Sequence, residues 1–437
     1  MNEIPEGWAW APLGELGEWV GGGTPRKSVA SYWDGDIPWV SPKDMKVERI
    51  VETEDHISQT ALDGSATNLL PQGAVLVVTR SGILRHTLPV AVAERAVALN
   101  QDLKALIPDP GVDPAYVAWS LRWSADRILR ECSKAGTTVS NIETSRLLAF
   151  QVPLAPLHEQ SRIVAAIEEQ LSRLDAADRS LAQAKRRLTT LRAATLSAAI
   201  GGHEPVELGA LVAELRYGTS VKCSYDAAGP PVLRIPNVQG GNVDLSDLKF
   251  AADAHLDLTS LALKTGDLLF VRTNGSRELI GRVASVDGAE GMAFASYLIR
   301  ARPDASRLDS RFAVIALSAP ASRALIESKA ATTAGQYNLN LAALRALPVP
   351  LPPIEEQRSI VAEVEGKLSV IDAIDAQTDR ATRQSGALRH TILARAFHGE
   401  LVPQDPDDEP AAVLLERIIH QRAAAPTRAR KTQKTPA

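Results

Sequence analysis

From Leu157 the apolar positions fall on two seven-residue registers, Leu157, Val164 and Leu171 in one and Ile167, Leu174, Leu181 and Leu188 in the other. Charged residues fill the gaps, among them Glu168, Glu169, Arg173, Asp175, Lys185 and Arg186. That pattern predicts a coiled-coil helix of about 43 residues, roughly 65 Å long at ~1.5 Å per residue. The prolines 153 and 156 set its start, and Gly201-Gly202 supplies a stop. A second such pattern carries Ile354, Val361, Val364, Leu368 and Ile371, turns polar at Thr378, Thr382 and Ser385, then regains Leu388, Ile392 and Leu393. Its middle is expected to pack less tightly. Residues 1 to about 150 instead show short β-forming runs, such as Ile37 to Val40, Ala74 to Thr79 and Val90 to Ala93, divided by glycine and proline turns. A helix is expected from Asp113 as N-cap, with Pro114 just inside, through Tyr116, Trp119 and Leu121 towards Leu129.

The two long patterns are copies. Pro153-Leu154-Ala155-Pro156-Leu157-His158-Glu159-Gln160 returns as Pro350-Leu351-Pro352-Pro353-Ile354-Glu355-Glu356-Gln357, and the step from 153 to 350, 197 residues, carries Asp175 onto Asp372 and Gly202 onto Gly399. The segments before them repeat more loosely. Leu13-Gly14 falls on Leu208-Gly209, Gly73 to Gly82 on Gly266 to Gly275, and Asn141-Ile142 on Asn338-Leu339. A long internal repeat decides the architecture. The expected fold is α+β: two similar mixed α/β globular domains, residues 1–152 and 204–349, separated by two long antiparallel coiled-coil helices at 153–203 and 350–400, in a pseudo-twofold internal repeat. The Pro-Leu-x-Pro stretches would be the hinges between domain and helix. Residues 401–437 add an acidic loop, a short helix near Ala411 to Ile419 and a basic, disordered tail with Arg428, Arg430, Lys431 and Lys434.

Composition narrows the function classes. With 48 basic against 52 acidic residues the net charge is −4, so any basic surface must be local. Two cysteines without paired spacing, Cys132 and Cys223, point to a reducing compartment. Neither an 18-residue apolar run nor a signal-like start is present, and a cytoplasmic protein without membrane contact is expected.

No catalytic constellation emerges. Asp113-Pro114-Ala115-Tyr116 resembles the amine-holding motif of amino-methyltransferases, but its repeat partner Asp309-Ser310-Arg311-Phe312 keeps only what a helix start needs. Gly22 to Ser28 ends Lys27-Ser28 like a phosphate loop, yet Arg26 stands where glycine is required and Pro25 interrupts the donors. What remains is polar loops in equivalent places. The first domain offers Thr24, Arg26, Lys27, Ser28, Lys43, Arg80, Ser81 and Arg85; the second offers Tyr217, Thr219, Ser220, Lys222, Arg234, Asn237, Gln239, Arg272, Thr273, Asn274 and Arg277. Arg, Lys, Asn and Gln on loops suit contacts to phosphates and base edges. Two modules with one frame and different loops would read two different sites.

Several stretches resemble the specificity subunit of type I DNA restriction-modification systems. They are Ile4-Pro5-Glu6-Gly7-Trp8, Gly22-Gly23-Thr24-Pro25, Tyr32-Trp33-Asp34-Gly35-Asp36-Ile37-Pro38-Trp39-Val40-Ser41-Pro42-Lys43-Asp44-Met45, both Pro-Leu-x-Pro-x-x-Glu-Gln stretches, and Gly399-Glu400-Leu401-Val402-Pro403. The resemblance implies a noncatalytic subunit with two target-recognition domains, each reading half of a bipartite, asymmetric site in double-stranded DNA, and two helices acting as a ruler for the spacer. It further implies two modification subunits, which bind S-adenosylmethionine, and two restriction subunits, which use ATP and Mg; neither cofactor is expected on this chain. The polar stretch Thr378 to Ser385 would face a modification subunit. The second domain shows Val232-Leu233-Arg234-Ile235-Pro236-Asn237-Val238 where the first has the Tyr-Trp to Lys-Asp pattern, so the half-sites should differ. The rival class is a noncatalytic coiled-coil scaffold displaying two protein-binding adaptor domains.

Overall fold

The two heptad patterns become single helices, Leu157–Ala199 and Ile354–Phe397. A computed structural model describes residues 4–134, 140–254, 257, 259–333 and 335–424; the expected basic tail at 428–434 lies outside them. The chain divides into two compact units, Met1–Arg179 with Thr382–Ala437, and Ser180–Ala381. Each unit contains half of each long helix.

Within each unit the helix halves run antiparallel, and ion pairs record the register. In the second unit Lys185 Nζ meets Asp379 at 2.5 Å and Arg192 pairs with Asp372, so seven residues forward from 185 to 192 answer seven back from 379 to 372. In the first unit Arg389 reaches Asp175 at 2.5 Å and Asp178 at 2.8 Å. These pairs are repeat-related, since Asp175 matches Asp372 and Arg192 matches Arg389 at the 197-residue step. Half-exposed pairs add only ~0–1 kcal/mol each. Apolar burial drives the association: Ile163, Val164, Ile167 and Leu171 join Ile392, Ala396 and Phe397 in one core, and Leu196 joins Val361 and Val364 in another.

The seam differs from expectation at Leu157, Leu181, Thr378 and Ser385, and at Leu388, which is 50% exposed. Leu157 is 41% exposed, because the first turn precedes the stretch covered by the facing helix, and Leu181 is only half-buried. Thr378 and Ser385, expected to loosen the second helix and face a partner subunit, are 6% and 5% exposed. Thr378 Oγ1 donates back to the Ile374 carbonyl at 2.9 Å, so a small hydroxyl residue is satisfied within its own helix and can sit in the seam.

The β-rich parts of the units share one frame. In the first, a five-stranded sheet runs Gly17–Gly21, Leu103–Pro108, Val75–Val78, Val90–Ala93, Arg49–Ile50, beside a four-stranded sheet centred on Ile37–Val40 and Val97–Leu99. In the second, Val212–Tyr217, Leu298–Pro303, Leu268–Val271, Val283–Ser285 and Asn242–Val243 follow in the same order. Every residue from Val75 to Val78 and from Leu268 to Val271 is buried, which is why both central strands are continuously apolar: both faces are covered. The helix expected through Leu129 is two, Pro114–Trp123 and Ala125–Cys132, broken at Ser124. Asp113 caps the first, accepting from Ala115 N at 2.8 Å and Tyr116 N at 3.2 Å.

The Pro-Leu-x-Pro stretches are not hinges. Gln151–Leu154 pairs antiparallel with Ala9–Pro12, and Pro348–Pro350 with Pro205–Glu207. Just inside each helix a buried glutamine ties the helix start to the domain. Gln160 Oε1 accepts from Asp113 N at 2.9 Å while its Nε2 donates to the Ala155 carbonyl at 2.8 Å; Gln357 accepts from Asp309 N at 2.8 Å and donates to the carbonyls of Arg307 and Pro352, both at 2.8 Å. Strand and latch together make each handover rigid. In the first unit the Tyr116 hydroxyl also donates to the Pro153 carbonyl at 2.9 Å and accepts from Ala155 N at 3.2 Å, a role that its repeat partner Phe312 cannot take.

After Gly399 the chain continues within the first unit. Helix Ala411–Ala424 buries Ala411, Leu414 and Ile418. Arg162 holds Asp408 at 2.7 Å, and Arg422 bonds the Gly14 carbonyl at 2.8 Å and Asp109 at 2.7 Å. In the second unit Arg307, from the loop itself, donates to the Ala210 carbonyl at 2.8 Å, so that unit meets the same need locally.

Candidate nucleic-acid interface

The loop Gly22 to Ser28 is held by its backbone. Gly23 N donates to the Leu99 carbonyl at 2.8 Å, Trp39 Nε1 to the Gly23 carbonyl at 3.1 Å, and Trp33 Nε1 to the Arg26 carbonyl at 3.4 Å. The indoles are themselves packed edge to face with ring centroids 5.1 Å apart. Thr24 bonds Gln101 through its hydroxyl. The backbone is therefore fixed while Arg26, Lys27 and Ser28 stay exposed, and among the described residues no ion pair engages Arg26 or Lys27. A rigid loop with two uncommitted cations is prepared for an anionic surface, with little ordering cost on binding.

Other candidates are committed elsewhere. Lys43 lies between Glu54 at 2.9 Å and Asp55 at 3.0 Å, whose carboxylates hold its ammonium above the ordinary lysine range. Asn237, expected to read bases, is 1% exposed; its Oδ1 accepts from Arg234 N at 2.7 Å and its Nδ2 donates to the carbonyls of Asp244 and Asp247. Its amide shapes a turn. Thr219 accepts from Val221 N at 3.2 Å, Arg234 pairs with Asp247 at 2.9 Å, and Thr273 Oγ1 donates to Asn338 Oδ1 at 2.9 Å. Tyr217 accepts from Leu341 N at 3.2 Å and carries Arg272 over its ring at 4.4 Å.

Two groups remain at the surface. In the first unit Arg80 is 60% exposed with only a 4.0 Å approach to Asp102, and it flanks the short turn Gly82–Arg85, where Ser81 accepts from Ile83 N and Arg85 is exposed. In the second, Ser220, Lys222 and Gln239 are exposed, Asn274 is half-buried with its Oδ1 accepting from Ser276 N at 2.8 Å, and Arg277 is 56% exposed. Arg80 and Thr273-Asn274 occupy the same place in the repeat. The structure also shows a surface that the sequence reading missed: Ala331–Thr333, Gln336–Asn338 and Thr273–Asn274 form a separate three-stranded sheet. The readable signal was β-branched and aromatic residues on either side of Gly335, whose φ is +78°.

A cavity of about 630 Å³ in the first unit is bordered by Trp10, Trp123, Arg127 and Phe397, with Trp123 stacked on Phe397 at 5.4 Å; no glycine-rich phosphate loop borders it. Burial pushes the Cys132 thiol up to about 11, far from a reactive thiolate. No helix among the described residues is long and apolar enough to cross a membrane.

Two mixed α/β units, each packed with antiparallel helix halves, present polar loops in equivalent places. The family described as "Type I restriction modification DNA specificity domain" matches residues 5–186. Along nearly its whole length the chain is 28% identical to the EcoKI specificity subunit of Escherichia coli K12 and 25% identical to the StySPI specificity subunit of Salmonella potsdam, with 97% of each chain covered in both comparisons. It is 38% identical to the EcoR124I/EcoR124II specificity subunit of Escherichia coli over 37% of this chain and 40% of that one. The fold matches a structure of a type I R-M system at TM-score 0.72, with 18% identity, 92% of this chain and 100% of that chain covered. It matches the HsdS subunit from Thermoanaerobacter tengcongensis at 0.56, with 19% identity, 91% and 98% covered. Residues 5–186 thus match a type I restriction modification DNA specificity domain, and nearly the whole chain is similar to type I restriction enzyme specificity subunits.

Proposed function

We propose that each unit reads one half of a bipartite, asymmetric site in double-stranded DNA and that the helix pair sets the unspecified spacer between the halves. The observation that carries this reading is one sheet frame used twice with different polar loops, Arg26 and Lys27 in one and Lys222, Gln239 and Arg277 in the other. Phosphate contacts from these exposed cations would position each unit, and the Gln239 amide would exchange its bond to the Pro236 carbonyl at 2.7 Å for a base edge. The partners are two modification subunits, which would bind S-adenosylmethionine and methylate the site, and two restriction subunits, which would use ATP and Mg to translocate and cut.

The rigid handovers support a ruler. An insertion of seven residues in both Leu157–Ala199 and Ile354–Phe397 keeps the seam register and adds about 10.5 Å of helix. At ~3.4 Å per base pair the spacer should grow by about three base pairs with both half-sites unchanged. Mapping of methylated sites in cells carrying the lengthened chain checks this, and an unaltered spacer contradicts it.

A further inference from the structure

We infer that the strand pair Ala331–Thr333 and Gln336–Asn338 is the part of the second unit that enters the major groove, with Gln336 reading an adenine edge. The inference rests on the DNA-reading role proposed above and adds to it the element and the residue. A two-stranded antiparallel ribbon is one of the two backbone shapes that fit a major groove.

Register settles which face of the ribbon is which. Gln336 and Asn338 point to one side and Tyr337 to the other. Thr332 lies opposite Tyr337, and Thr273 lies opposite Asn338. Tyr337 packs against the core of the second unit, so its side is the anchored one. On the outer side the polar groups of Thr273 and Asn338 are spent on each other and on the Gln336 carbonyl, at 2.9 and 3.4 Å. The Gln336 amide is exposed, and among the described residues no hydrogen bond engages it. Its donor and acceptor match N7 and N6 of adenine.

The base of the ribbon is stiff and its flanks suit DNA. Arg272 N donates to the Tyr297 carbonyl at 2.9 Å, Leu339 N to the Arg272 carbonyl at 2.9 Å, and the Arg272 side chain is clamped between the Tyr217 ring and the Ser296 carbonyl. Arg277, 56% exposed and only loosely approached by Glu327 at 4.0 Å, stands beside this base and would contact phosphate, and Tyr297 is 57% exposed.

The test is the pattern of modified bases in cells expressing the full chain with its modification subunit, compared with the Gln336→Ala, Gln336→Arg and Arg277→Ala variants. Gln336→Ala is expected to relax one position of one half-site, with discrimination against the wrong bases falling about 5- to 150-fold. Gln336→Arg should move that position from adenine towards guanine, a gain that a misfolded variant cannot produce, and Arg277→Ala should lower occupancy at all sites alike. An unchanged motif in both Gln336 variants, or loosening of both half-sites together, overturns the inference while leaving the DNA-reading role intact. Absence of any chain-dependent motif with the unaltered chain overturns both.

Discussion

Gln160 and Gln357 show how much one side chain can fix. Each amide spans a helix start, a loop carbonyl and the backbone N–H of a capping aspartate, and each is 0% exposed. Alanine at either position leaves buried donors and acceptors unpaired, a loss of about 1–3 kcal/mol that denaturant unfolding should register. Beside Gln160, Glu159 is 2% exposed, and burial pushes its carboxyl up despite the hydrogen bond from Trp8 Nε1 at 3.0 Å. A carboxyl raised by folding favours the native state while protonated, and that benefit is lost as the pH rises through its folded value. Glu159→Gln keeps an acceptor for Trp8 without the buried charge. It should melt a few degrees above the parent at about pH 8, with the gap narrowing towards about pH 4.5; a gap that widens in acid would contradict this. These roles were hidden in the sequence. The repeat displayed both Glu-Gln pairs, but a hydrogen bond to a loop 47 residues earlier leaves no periodic trace, and Asn237 looked like a base reader because a buried turn amide and an exposed one are the same letter.

Among the elements, the long helices were legible because a heptad seam repeats in the chain itself. What the pattern hid was the meaning of its interruptions, since Thr378 and Ser385 are buried in spite of their polarity. Thr378→Val should stay close to the parent in thermal stability, because the hydroxyl's bond to the Ile374 carbonyl duplicates the helix's own backbone bond. Thr378→Leu overfills the same seam position and should lose about 1–3 kcal/mol. The sheets were legible as short apolar runs, while their order was not, because pairs such as Leu103 with Val78 and Ala105 with Val20 depend on contacts remote in sequence. The ribbon of Ala331–Thr333 and Gln336–Asn338 escaped for a related reason: its third strand, Thr273–Asn274, lies over fifty residues away.

For the whole molecule, a net charge of −4 means that DNA affinity must come from a few placed cations rather than from bulk attraction. The logarithm of affinity should fall linearly with the logarithm of salt, and Arg26→Ala with Lys27→Ala should reduce the slope by about two without altering the preferred sequence. A slope unchanged by both would remove that loop from the interface. The most direct test of the account is sequencing of modified bases in a host genome with and without the gene for this chain, its modification subunit present in both. The account predicts one bipartite motif that appears only with the chain, two different specified blocks flanking a fixed unspecified spacer; a modification pattern independent of the chain, or a single unbroken motif, would contradict it.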